Sequence, residues 1–300
     1  MTATSTSLPR LLLVGGGGGL VGRAVLPELL PHFRIRSVHR HPALNEGPEV
    51  EWVRADVKAV DDWAPILHDV QVVLNLAWYR WESEAVFRSL GDGLRRLVDA
   101  AVRAPVQRFL QVSVPPAPPS MESSLPYLFY KRQVDSAVEK SGLSYRIVRP
   151  TMLFGPGDVL LGVMFRLMRR YPFFPMFGDG TYHVSPIAVS DLARVLRQEA
   201  QASAVGTVDL GGPERLTYRQ LTDRIFGVLR KRPRYWRLSG RGALRLTRFM
   251  VAMGSTTLYP YEVEWLMSDM LGLPPYGGLD VPLQRVGPYL ELLAEGGPAR

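Results

Sequence analysis

Five consecutive glycines, residues 15–19, sit inside an otherwise apolar run, "LLLVGGGGGLVGRAV" (11–25). Glycine costs about 0.5–1 kcal/mol relative to alanine within a helix or strand, so five together weaken any regular element. A flexible linker mixes glycine with serine and other polar residues. Here leucine and valine press in from both sides instead. The alternative is a sharp turn where a buried strand meets a helix and a ligand touches the main chain.

The neighbouring sequence supplies that context. "RLLLVG" (10–15) is a continuous apolar run, the mark of a strand buried on both faces, and "GRAVLPELLPHF" reads as a helix bent at Pro27. Further strands are expected at "RIRSVHR", "VEWVRAD", "DVQVVLNLAW", "QRFLQVSV" and "SYRIVRP". Helices are expected over 82–104 and, after a proline-rich loop, over "YKRQVDSAVEKSG". Such alternation implies an α/β fold with a doubly wound parallel sheet.

After a strand and before a helix, Gly16, Gly19 and Gly22 fit a Gly-x-x-Gly-x-x-Gly turn. The first allows the tight turn, the second lets a pyrophosphate approach, and the third permits close helix packing. A ribose 2′-hydroxyl is usually met by an acid about 20 residues beyond such glycines, a 2′-phosphate by arginine. "SVHRHPA" offers Arg40 and no acid, so NADP is preferred, with NAD the alternative. Arg23, at the helix start, is a second candidate for the phosphate.

The candidate chemistry lies in "LPYLFYKRQVD". Tyr127 and Lys131 are four apart and share a face if the helix begins at the tyrosine. A tyrosine, with an ordinary pKa of about 10, is a poor acid or base at neutral pH. A neighbouring ammonium favours the phenolate, as proton transfer to or from a carbonyl requires. Two ordinary surface residues would give the same spacing.

With these residues the chain resembles the short-chain dehydrogenase/reductase superfamily, in its extended and atypical branches. The matching motifs are the Gly16–Gly22 turn, Asp56-Val57, "NLAW" (75–78), Ser113, the Tyr127/Lys131 pair and "SGLSYRIVRPTMLFGPGD" (141–158). "HVSPIAVSDLAR" (183–194) and "VGTVDLGGPERLTYRQL" (205–221) continue the likeness, which is strongest to the NmrA-like group and to the nucleotide-binding accessory subunit of respiratory complex I. The resemblance implies a Rossmann domain over 10–155, after a disordered lead at 1–9. A smaller substrate or cap region would occupy 156–300, interleaved with the sheet at about 183–212. It implies that Leu20 and Val21 line the glycine turn, that Asp56 bonds the adenine amino group, and that Val57 lies against the ring. Leu76 and Ala77 would line the nicotinamide ribose, and Pro150 would stand near the nicotinamide. Tyr127 would be the acid/base, Lys131 the ribose anchor, and Ser113 the neighbouring hydroxyl. Two positions depart from the pattern: the usual catalytic Ser/Thr falls at Val114 or Pro115, and the usual asparagine at Leu90.

Composition narrows the remaining classes. There is no cysteine, which excludes disulfides, thiolate nucleophiles and Cys-based metal sites. His39 and His41 flank Arg40 without metal-ligand spacing, and no metal site is expected. His183 reads as a satisfied loop histidine, with a place facing the substrate as the alternative. Net charge is +8. Residues 224–261 contain no acid, and "RKRPRYWRLSGRGALRLTR" carries eight basic residues beside Tyr235 and Trp236. This is a solvated basic face or a contact for an anionic membrane or acidic partner; no motif supports nucleic acid. No window reaches the ~18 apolar residues of a membrane span, and the protein reads as cytoplasmic, with peripheral membrane association as the alternative. Thr217 and Gln220 make a capping box for "YRQLTDRIFGVLR", and "TVDLGG" a short strand. Prolines chop the last seventy residues into pieces that pack a cap. An oxidoreductase acting on a carbonyl or alcohol, NADP preferred, is the leading reading. A non-catalytic dinucleotide-binding protein of a membrane assembly and a sugar-nucleotide epimerase or dehydratase are the alternatives.

Overall fold

The computed structural model describes residues 8–16, 18–40, 47–80, 82–254 and 258–296. His41 and nearly all of the lead expected at 1–9 fall outside these residues. The chain opens as β1 (Arg10–Val14), α1 (Leu20–Leu29), β2 (Arg34–His39), β3 (Val50–Arg54), α2 (Ala64–Leu67) and β4 (Val72–Asn75). It continues through α3 (Glu84–Arg103), β5 (Arg108–Val112), α4 (Pro119–Ser124), α5 (Pro126–Lys140) and β6 (Tyr145–Pro150). A short helix, α4, thus occupies part of the expected proline-rich loop. α5 begins at Pro126, earlier than expected, because proline is tolerated at the first helical position, where no N–H is needed.

Seven strands form one sheet in the order β11-β6-β5-β4-β1-β2-β3, with β11 at Gly206–Leu210. β1 pairs in parallel with β2 on one side and β4 on the other, so the strand order reverses there. A reversal of this kind leaves a crevice at the carboxyl ends of the strands, where the two crossovers leave in opposite directions. The five glycines begin at the end of β1, beside that crevice.

Two compact units are distinguished. The first comprises the described residues of 1–113, 120–148 and 193–208. Its core joins Leu12, Val14, Trp63, Val73, Leu94, Phe109, Val134 and Ile147. Charges lie in or against it: buried Arg108 and partly buried Arg146 both pair with buried Glu199, at 3.5 and 3.1 Å, and buried Arg36 reaches the exposed Glu51 at 2.7 Å.

The second unit comprises the described residues of 114–119, 149–192 and 209–300. Its elements are β7 (Leu153–Phe154), α6 (Leu160–Arg170), β8 (Phe174–Phe177), β9 (His183–Val184), β10 (Ile187–Ala188), the start of α7 (Val189–Gln201), β12 (Leu216–Thr217), α8 (Tyr218–Val228), β13 (Tyr235–Leu238), α9 (Gly240–Ala252), α10 (Pro260–Met267) and α11 (Val286–Ala294). The stretch of about 183–212 was expected to interleave with the main sheet, but its first strands, β9 and β10, do not enter it. They pair instead in two-stranded sheets, β10 with β7 and β12 with β9; the strand that joins the main sheet is β11. Short strands separated by prolines cannot sustain a long ladder, so this unit is organised by its apolar cluster. That cluster runs from Met152 and Phe165 through Tyr218 and Phe226 to Val263, Leu290 and Leu293. Thr217 and Gln220 make the reciprocal cap of α8.

Candidate functional site

The glycine turn divides its labour by position. Gly15 has φ +76°, and a β-carbon there would lie 2.6 Å from the Ala77 backbone. Gly22, in the first turn of α1, would put one 1.2 Å from the Gly16 carbonyl oxygen. Contact that close holds the helix against the turn and admits no side chain. Around Gly18 and Gly19 there is open space within 4 Å. Gly19 is the N-cap of α1, and no side chain caps that end. Its N–H groups and the positive end of the helix dipole are the ordinary setting for an anionic group.

In front of this turn lies a cleft of about 300 Å³, lined in part by Gly15, Gly18, Gly19, His39, Arg40, Asp56, Val57, Ala77, Trp78, Tyr79 and Leu90. It gathers Gly19, Arg40, Asp56, Val57 and Ala77 of the residues expected from sequence. Gly16, Leu20, Val21, Gly22 and Leu76 are not among its lining residues, and Pro150 is buried at the end of β6. The Arg40 guanidinium donates to the Tyr79 hydroxyl at 3.1 Å, and the Lys58 ammonium stands 5.7 Å from the same ring. Asp56 caps the following 3₁₀ turn by accepting from the Lys58 N–H at 3.1 Å.

Tyr127 and Lys131 lie on α5, which starts one residue before the tyrosine. Trp78 touches both. Its ring is 4.5 Å from the Lys131 ammonium and meets Tyr127 edge-on at 6.1 Å, while stacking on Phe87 at 5.8 Å. Lys131 is only 2% exposed. Burial pushes its pKa down to about 8, against the pull of Asp135 and together with the repulsion of Arg132. Ser113, the expected neighbouring hydroxyl, is committed elsewhere. It donates to Asp135 at 2.5 Å and accepts from Arg132 at 3.2 Å, inside a cluster that Glu122 extends. His183, expected in a loop, opens β9 instead, and its ring nitrogen stands 2.9 Å from Asp269.

Gly15, Tyr79 and Lys58 were not singled out from the sequence, and Trp78 only as the end of a motif. The signal available was position: "NLAWY" follows β4, the strand paired with β1 at the reversal, so its aromatics had to stand at the crevice.

Residues 16–163 match the family model described as NAD(P)H-binding. A ceramide reductase of Caulobacter vibrioides is 27% identical over 265 residues, 85% of this chain and 82% of that protein. A mitochondrial NADH dehydrogenase (ubiquinone) 1 alpha subcomplex subunit 9 of Arabidopsis thaliana is 26% identical over 242 residues; the alignment covers 75% of this chain but only 59% of that protein. A nucleoside-diphosphate-sugar epimerase from Staphylococcus aureus superposes with TM-score 0.75 over 94% of this chain and 99% of its own, at 13% identity, a likeness of fold. No helix among the described residues is long and apolar enough to cross a membrane. Residues 16–163 thus match an NAD(P)H-binding family model, within a chain that has the Rossmann-type fold of a nucleoside-diphosphate-sugar epimerase.

Proposed function

We propose that the protein is an NADP-dependent oxidoreductase that interconverts a carbonyl and an alcohol, with Tyr127 as proton donor and acceptor. The observation that carries this reading is a buried lysine one helical turn from a tyrosine, both packed on an indole that lines the dinucleotide cleft. The residues present fit a dinucleotide. Open space at Gly18 and Gly19 admits the pyrophosphate, and Arg40 supplies positive charge where a 2′-phosphate would lie, the nearby Lys58 being paired with Asp56 at 3.5 Å. When bound, the nicotinamide supplies or accepts the hydride.

The chain's own part is to hold and move the proton. During reduction the Tyr127 hydroxyl gives its proton to the substrate oxygen as the carbonyl carbon gains hydride. The Lys131 ammonium stabilises the negative charge left on the tyrosine oxygen and also anchors the ribose. Tyr127 sits in the first turn of α5, whose dipole favours the same charge. Ser113 is not assigned a step, because its hydroxyl serves Asp135. The ceramide reductase relative adds ceramide-like lipids to the substrates to test.

Oxidation of NADPH against aldehydes, ketones and quinones tests the assignment. Tyr127→Phe is expected to keep dinucleotide affinity and to lose turnover by about 10²–10⁴-fold, the usual worth of an acid–base group. Undiminished turnover in that variant overturns the mechanism. Gly19→Val is expected to abolish dinucleotide binding in calorimetry at only the small stability cost of a poorer N-cap, since nothing beyond its chain neighbours lies within 4 Å of its side-chain position.

A second reading is a non-catalytic dinucleotide-binding protein that works at a membrane. Val114, Pro115 and Leu90 at the usual Ser/Thr and Asn positions favour it, as does the acid-free basic stretch of 224–261. Such a protein shows no turnover with any substrate and binds anionic vesicles.

A further inference from the structure

We propose that one face of the second unit, made by the end of α6 and the lead into β13, docks on an anionic lipid bilayer. The proposal rests on the membrane-associated reading above and gives it a surface. The basic stretch as a whole is not that surface. Arg224 is spent on Glu214 at 2.7 Å. Lys231 is spent on the last turn of α6, donating to the carbonyls of Met168 at 2.8 Å and Arg169 at 2.5 Å.

The second of these bonds joins two segments that are far apart in sequence. Both are acid-free: residues 159–178 and residues 225–261. The Phe174 N–H donates to the Arg234 carbonyl at 2.9 Å, and β8 pairs in parallel with β13. Phe173 and Trp236 meet edge to face at 6.5 Å. Three large rings stay in solvent there: Tyr171 is 48% exposed, Phe173 49% and Trp236 53%. Beside them Arg169, Arg170, Arg232 and Arg234 are exposed and form no ion pair among the described residues.

Exposed aromatic rings among unpaired arginines match the boundary layer of a bilayer. The rings sit at headgroup depth, and the guanidinium groups meet lipid phosphate. An acidic protein would satisfy the arginines but gives no reason for three protruding rings without a groove.

Sedimentation of the full chain with phosphatidylcholine vesicles, with and without phosphatidylglycerol, tests the surface. The native protein is expected to bind the phosphatidylglycerol vesicles, less tightly as salt rises. Arg170→Gln with Arg234→Gln is expected to weaken binding about twentyfold at low salt, because each cation near such a surface is worth about fivefold. Phe173→Ala with Trp236→Ala is expected to remove the part of the binding that resists salt, with an unchanged melting temperature confirming the fold. Arg103→Gln with Lys140→Gln removes the same charge from exposed positions of the first unit and is expected to cost far less. An equal loss in that control overturns the proposal, as does tighter binding to polyglutamate or single-stranded RNA than to the vesicles. Full binding by both surface variants overturns this surface alone. No binding by the native protein overturns the membrane reading with it.

Discussion

The first unit buries charge and the second buries rings. Arg108, Arg146, Glu199, Lys131 and Asp135 lie within or against the first core. The second core is a cluster of methionine, phenylalanine, tyrosine and leucine, with polar groups used mainly as caps: Asp158 on α6, Thr217 on α8 and Ser239 on α9. The difference follows from the backbone. A long parallel ladder fixes side chains well enough to pair ions in the interior, where an unpaired charge is expensive. Short strands between prolines do not, and a non-directional apolar cluster tolerates their irregular packing.

The contrast is broken most forcefully at Glu199. Glu199→Ala leaves the buried Arg108 and the partly buried Arg146 without their carboxylate and is expected to destabilise the first unit by about 3–5 kcal/mol, read from urea unfolding. If the second unit unfolds in a separate step, that step stays in place; a single shifted transition means that the two cores melt together.

Alkaline pH is expected to move the units in opposite directions. The Lys131 pKa is lowered to about 8 by burial, so the unfolded chain holds a proton that the folded one has released between about pH 8 and 10. Stability of the first unit therefore rises over that window by about 1.4 kcal/mol per pH unit, and Lys131→Met abolishes the rise. Burial raises the Tyr182 and Tyr218 phenols of the second unit above the ordinary tyrosine value. Above about pH 10 the unfolded chain loses those protons first, and the stability that they give declines.

Function separates from both cores at Arg40. Arg40→Asp is expected to weaken NADP binding by about 1.5–3 kcal/mol in calorimetry and to leave unfolding unchanged, because Arg40 is exposed and, among the described residues, donates to Tyr79. Equal loss for NAD, or tighter NAD binding by the native protein, reverses the cofactor assignment. The smallest effect is expected at the α8 cap: Thr217→Ala should cost about 1 kcal/mol, confined to the second unit.

The two units also differ in how much of them the sequence reveals. The strands of the first unit are apolar runs bounded by turns, and each expected one is present, shorter at one or both ends. Tyr127 and Lys131 fall on one helix because Pro126 starts it. In the second unit "HVSPIAVSDLAR" has the apolar character of a sheet strand, yet β9 and β10 pair with β12 and β7. Local composition marks a strand but carries no information on its partner, which distant residues supply. Ser113 is the same case at one side chain: its place after β5 suggests a hydroxyl facing substrate, and Asp135, twenty-two residues on, takes it.

The glycine run, the alternation of strand and helix, and the Tyr-Lys spacing follow from sequence alone, because each depends on backbone sterics or helical period over a few residues. Only the tertiary structure decides that Gly22 touches Gly16 while Gly19 faces open space, and that Trp78 covers Lys131. It alone brings Trp236 to Phe173 beside exposed arginines from two distant segments. Those arrangements depend on packing between residues far apart in the chain, and no local pattern encodes the distance between them.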